Sequence, residues 1–176
     1  MFKKVLTTIL NLFLILLLVY LALPSPSFPA PPLDSIQSHE PADSESDLRR
    51  AYFTNYTRAE VMDWYKIQFK KDMMGVTLPI YTLNYGPEEA TTIIRDQTRS
   101  TFLEEIVHPF REGVYINGFE PKDTKDNIFI EGRSWRQKIT VRYVPSNLFV
   151  RLAVWVGVVV SINLLLIGWK KSLSSK

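Results

Sequence analysis

Residues 152–169 read LAVWVGVVVSINLLLIGW, eighteen residues without a charge, closed by Lys170 and Lys171. At about 1.5 Å of rise per helical residue the run reaches roughly 27 Å, close to the thickness of a bilayer's hydrocarbon core. A membrane-spanning helix is therefore expected over 147–170, with a tail at 171–176. Nineteen further uncharged residues, 5–23, stand behind Lys3 and Lys4. This run is longer than the roughly 7–15-residue core of a cleavable signal peptide. The small-x-small triplet behind it, Ser25-Pro26-Ser27, is spoiled as a cleavage site by its prolines. Residues 1–23 are accordingly read as an uncleaved anchor. Both lysine clusters belong on the cytoplasmic side, so two spans put both termini in the cytoplasm and residues 24–147 outside a plasma membrane. Tyr20 and Trp169 suit the headgroup region, and Arg151 can snorkel to the outer phosphates.

A pI of 9.1 and a net charge of +3 suggest a nucleic-acid binder only until the charges are located. Lys3, Lys4, Arg151, Lys170, Lys171 and Lys176 lie at the ends. All 18 acidic residues fall between 24 and 147, against 15 Lys and Arg, so the middle is acidic and no nucleic-acid partner is expected. The expected partners are the lipid bilayer and a membrane or envelope protein, with a homo-oligomer left open. Cysteine is absent, which removes disulfides, thiolate chemistry and cysteine-bound zinc.

Six of the eleven prolines lie between 24 and 41, and 34–47 is rich in Ser, Asp and Glu, so 24–49 reads as a partly extended spacer. Order is expected over 50–146. A strand at 51–55 leads into Thr57-Arg58-Ala59-Glu60, a capping box that opens a helix running to about Asp72, with Tyr56 and Val61 placed as a staple. Val61, Trp64, Tyr65, Gln68 and Phe69 form its apolar stripe, and Gly75 is a natural stop. Further strands are expected at 78–85, 102–107, 113–116, 127–131 and 135–144, with a short helix opening at Pro87. The 102–107 stretch also has helical spacing; its threonine, its short length and the His108-Pro109 pair favour a strand. Asn117-Gly118 and Gly132-Arg133 supply turn signals. The fold class is α+β, with two transmembrane helices flanking one small extracytoplasmic domain whose two helices pack on one face of a mostly antiparallel sheet.

Few residue patterns point to chemistry. His39 and His108 have no second histidine at ligand spacing, and no calcium loop, phosphate-binding glycine loop or nucleophile elbow occurs. Catalytic, cofactor and metal residues are therefore assigned to none. Glu88-Glu89 and Glu104-Glu105 are neighbours in sequence, and neighbours point apart on a strand. Asn55-Tyr56-Thr57 is a glycosylation triplet, but Thr57 already serves as a cap. Two groups remain. Arg136, Lys138 and Arg142 form a stripe for an anionic partner, with pairing to acids such as Glu131 as the structural alternative. Asn11 and Asn163 lie at one depth, about 9 Å inside the cytoplasmic edge at roughly 1.5 Å per residue, and Ala153, Gly157 and Ser161 make a small-x-x-x-small ridge. These five are candidates for an interhelical contact. The reading is a membrane-anchored extracytoplasmic binding or assembly module of the cell envelope, non-enzymatic. The alternatives are an accessory subunit of a larger membrane complex, or a carboxylate-based enzyme acting on an external substrate.

Overall fold

The computed structural model describes residues 2–70, 75–95 and 97–174, which fall into two compact units. One joins Met1–Pro24 to Ser146–Lys176; the other is Ser25–Pro145. The first contains α1 (Phe2–Ala22) and α4 (Leu148–Ser174), both long and apolar enough to cross a membrane. They pack on each other through polar pins as well as apolar contact: the Trp155 Nε1–H donates to the Leu14 carbonyl at 2.9 Å, and Arg151 donates to the Leu23 carbonyl at 3.0 Å.

The central unit is a six-stranded sheet in the order β1-β2-β8-β5-β4-β3, every ladder of it antiparallel. Its strands are β1 (Ser35–Gln37), β2 (Arg49–Thr54), β3 (Tyr81–Tyr85), β4 (Phe102–Val107), β5 (Gly113–Phe119) and β8 (Gln137–Val144). A separate ribbon pairs β6 (Ile128–Ile130) with β7 (Arg133–Trp135). The expected strand at 102–107 is present. The one expected at 135–144 is interrupted at Arg136, whose backbone N–H leaves the ladder to meet the Asn55 side chain at 3.0 Å.

Helix α2 (Arg58–Phe69) starts where the capping box puts it: the Glu60 N–H donates to Thr57 Oγ1, and the Thr57 N–H donates back to the Glu60 carboxylate. Its expected end near Asp72 lies outside the described residues. Val61, Met62, Tyr65 and Phe69 press on Tyr52, Phe102, Ile106, Val114, Ile116, Ile139, Val141 and Tyr143, which alternate along their strands and so share one face. Full burial of each large apolar side chain contributes on the order of 1.5–3 kcal/mol. The short helix α3 (Ala90–Ile93) follows a 3-10 turn at Pro87–Glu89. Ala90 and Ile94 cover Leu103, which points to the opposite face of the sheet. The sequence predicts both helices on one face of the sheet; instead α2 and α3 cover it from opposite sides.

Two further expectations fail for identifiable reasons. Asn117 and Gly118 form no turn but lie inside β5, because the Phe102 ring of the neighbouring strand lies over Gly118 where a side chain would otherwise stand. The spacer at 24–49 is largely a strap on the domain. Phe28 packs against the core, Ala30 exchanges hydrogen bonds with Gln68 and Trp64, and the Tyr143 hydroxyl donates to the Pro26 carbonyl. Strand β1 then adds to the sheet edge, and Ser38 donates to the buried Asp43 at 2.5 Å. Proline-rich composition disfavours helix, but a chain already extended loses little entropy when another surface offers it partners.

Candidate functional site

Among the described residues of the central domain, three side-chain clusters are candidates for chemistry. The first sits in the turn His108-Pro109-Phe110-Arg111-Glu112 between β4 and β5, closed by the His108 N–H on the Glu112 carbonyl at 3.0 Å. Glu112 is fully buried. Its carboxylate receives the His108 Nδ1 at 3.0 Å, the Arg111 guanidinium at 2.9 Å and the Ser25 hydroxyl at 3.0 Å. Burial alone would push the Glu112 carboxyl up. The His108 hydrogen bond, the Arg111 charge and the Ser25 hydrogen bond outweigh it and hold the carboxyl down at about 2. An ionised Glu112 fixes the His108 proton on Nδ1. The imidazole also stacks on Phe69 at 4.4 Å between centroids and is wholly buried. Ser25 donates to the carboxylate and not to the imidazole, so the trio is not the nucleophile–base–orienter chain of an acyl-transfer enzyme. It is a lock that ties the strap to the hairpin turn.

The second cluster follows from strand alternation. Glu104 and Glu105 point to opposite faces, as neighbours on a strand must. Glu104 pairs with Arg58 at 2.6 Å on the α2 side. On the α3 side the Tyr85 hydroxyl donates to Glu105 at 2.6 Å, and the Tyr85 and Tyr115 rings stand 5.9 Å apart. The hydrogen bond to Glu105 raises the Tyr85 phenol, with burial adding to it. Both carboxylates are occupied and the sheet separates them, so this pair is not arranged for concerted acid–base work.

The third cluster is a recess lined by Glu45, Ser46, Arg49, Ile94, Arg95 and Arg142. Arg49 on β2 stands directly opposite Arg142 on β8. Arg95 follows α3 with its backbone at φ 64°, a left-handed conformation uncommon for a residue with a side chain. One carboxylate serves two of these three cations: Glu45 meets Arg95 at 2.8 Å and Arg49 at 3.4 Å. Arg142 donates to the Ile93 carbonyl.

The stripe expected from sequence is divided among these surroundings. Arg136 pairs with Glu120 at 2.8 Å, and Lys138 with Glu40 and Asp43 at 2.7 Å each; neither meets Glu131. Burial alone would lower the Lys138 ammonium, but its hydrogen bonds to Asp43 and Glu40 prevail and raise it. Arg142 alone of the three has no carboxylate among the described residues, and it joins Arg49 and Arg95 instead. Sequence reasoning missed those two because their convergence depends on strand register and on the turn after α3. In the other unit, Asn163 donates to the Val159 carbonyl of its own helix at 2.8 Å, and no hydrogen bond joins it to the exposed Asn11. Ala153, Gly157 and Ser161 are exposed, and nothing lies within 4 Å of where a Gly157 side chain would begin. The α1–α4 contact uses Trp155 instead, whose indole N–H finds the Leu14 carbonyl. No family model, no curated protein and no solved structure matches this chain.

Proposed function

We propose that the chain is a membrane-anchored binding or assembly module of the cell envelope, with both termini cytoplasmic and the central domain outside. The observation that carries this reading is the pairing of two membrane-length apolar helices with a domain whose buried carboxylates hold its own parts together. Glu112, Glu104 and Glu105 each have fixed partners, and carboxylates held in this way suit a domain that presents a surface. The lysines beside each span supply the orientation.

A second reading, an accessory subunit of a larger membrane complex, is favoured by one specific feature. The ridge Ala153, Gly157 and Ser161 faces away from α1, and small residues at this spacing let another helix approach closely in lipid. Asn11 and Asn163 are exposed on these helices and would add interhelical hydrogen bonds of about 0.6–2 kcal/mol each with a helix from another chain.

Purification of the full chain in mild detergent, followed by measurement of the stoichiometry of whatever travels with it, tests both. A constant partner lost on Gly157→Leu supports the subunit reading. A partner retained by that variant supports recognition through the domain. If the chain travels alone and turns over an envelope substrate, both readings fall.

A further inference from the structure

The recess between β2, β8 and the turn after α3 holds three guanidinium groups and one carboxylate among the described residues, an excess of two positive charges. Such an excess calls for compensation. Arg49 and Arg142 occupy directly opposed positions on neighbouring strands, where like charges destabilise the pairing. Arg49 is only 3% exposed, and its Nε–H has no hydrogen-bond partner among the described residues. A buried, uncompensated donor on a charged group is costly unless something receives it. Arg95 carries the third charge on a left-handed backbone, and such local strain persists where surrounding structure or function requires it. Glu45 bridges Arg49 and Arg95 from a half-exposed position, so its carboxylate can leave without opening the core.

We propose that this recess binds a phosphate group, with Arg49, Arg95 and Arg142 as its ligands and Glu45 as the internal carboxylate that the phosphate displaces. Guanidinium forks match the oxygens of a phosphate, and a phosphate offers enough acceptors to serve all three arginines where one carboxylate serves two. The proposal rests on the domain being a binding module and gives that reading a ligand chemistry. Free phosphate compounds and phospholipid headgroups share this chemistry, and the experiment separates them.

The full chain is held in an uncharged detergent and titrated with inorganic phosphate at constant ionic strength, against chloride. In parallel it is reconstituted into discs of phosphatidylcholine alone or of phosphatidylcholine with phosphatidylglycerol. Tm is read by tryptophan fluorescence in both arms. Stabilisation by inorganic phosphate identifies a soluble ligand, stabilisation by phosphatidylglycerol alone identifies a headgroup, and either supports the site if the exposed Arg95→Gln weakens it. Arg95→Gln and Arg142→Gln are each expected to weaken binding at least tenfold, about 1.4 kcal/mol. Circular dichroism checks that both variants fold. Glu45→Gln is the decisive variant. Removing a competing carboxylate should strengthen phosphate binding several-fold, whereas a merely structural Glu45 would lower Tm and leave binding unchanged. No stabilisation in either arm, equal stabilisation of wild type and Arg95→Gln, or unchanged binding by Glu45→Gln overturns the proposal. A failed search for a protein partner bears on the binding-module reading and leaves this result untouched.

Discussion

Glu112 shows how one residue can tie two distant segments together and give the domain a defined acid limit. Its carboxylate is fully buried, yet it is held ionised by His108, Arg111 and Ser25, with its carboxyl pushed down to about 2 from an ordinary value of 4.5. A carboxyl whose folded value is depressed stabilises the fold fully above its unfolded value. That stability is lost as pH falls through the folded value. The window therefore runs from about pH 4.5 down to about 2, and the shift corresponds to roughly 3 kcal/mol. Glu112→Gln is expected to be less stable than wild type at pH 7 by about 3–5 kcal/mol, because the buried ion pair between Glu112 and Arg111 is broken. The gap should narrow on acidification through that window. Urea unfolding of the full chain, followed by tryptophan fluorescence between pH 7 and 3, measures both effects; a gap that stays constant with pH would remove this assignment. Little of the lock could be read from sequence. His108 stands beside Pro109 as an unremarkable pair, and Ser25, 87 positions from Glu112, lies in a stretch whose composition resembles a spacer.

Among the elements, legibility followed the range of the determining interaction. The capping box of α2, the short helix after Pro87 and the strand at 102–107 depend on residues within four or five positions of one another, and all three are present. What depends on a neighbouring strand could not be read. Asn117-Gly118 has turn chemistry, but Gly118 lies in β5 because the Phe102 ring of β4 occupies the space above it. A β-carbon at 118 would collide with that ring, which is buried and cannot swing away. Gly118→Ala should therefore destabilise the domain by about 1–3 kcal/mol. Phe102→Leu removes the flat ring and should relieve the collision, so the double variant should lose less than the two single losses added together. Denaturation midpoints of the four proteins check this, and simple additivity would mean that the ring is not the obstacle. The same logic accounts for the strap at 25–37, whose partners, Gln68, Trp64 and Tyr143, lie 34 to 117 positions away along the chain. The arginine recess depends on β2–β8 register and on the backbone at Arg95, neither of which has a local signature.

At the scale of the whole molecule, the two apolar runs were the most legible feature, because spanning a bilayer needs only length and the absence of charge. Their orientation rests on different physics, the retention of lysines on the cytoplasmic side. Lys4 lies near the start of α1, and Lys170 and Lys171 lie near the end of α4, while Ser25–Pro145 carries a mixture of both charges with an acidic excess. In the proposed topology two spans join the lysine clusters on one side and leave the domain on the other. The absence of cysteine makes this directly measurable. Phe129 on the β6–β7 ribbon is 67% exposed, so a cysteine there should accept a membrane-impermeant maleimide without disturbing the core. Leu173, 64% exposed near the end of α4, offers the matching position on the side proposed to be cytoplasmic. In intact cells Phe129→Cys should label and Leu173→Cys should not, and both should label once the membrane is permeabilised. Labelling of Leu173→Cys in intact cells would invert the topology. Labelling of both variants before permeabilisation would mean that only one of the helices spans.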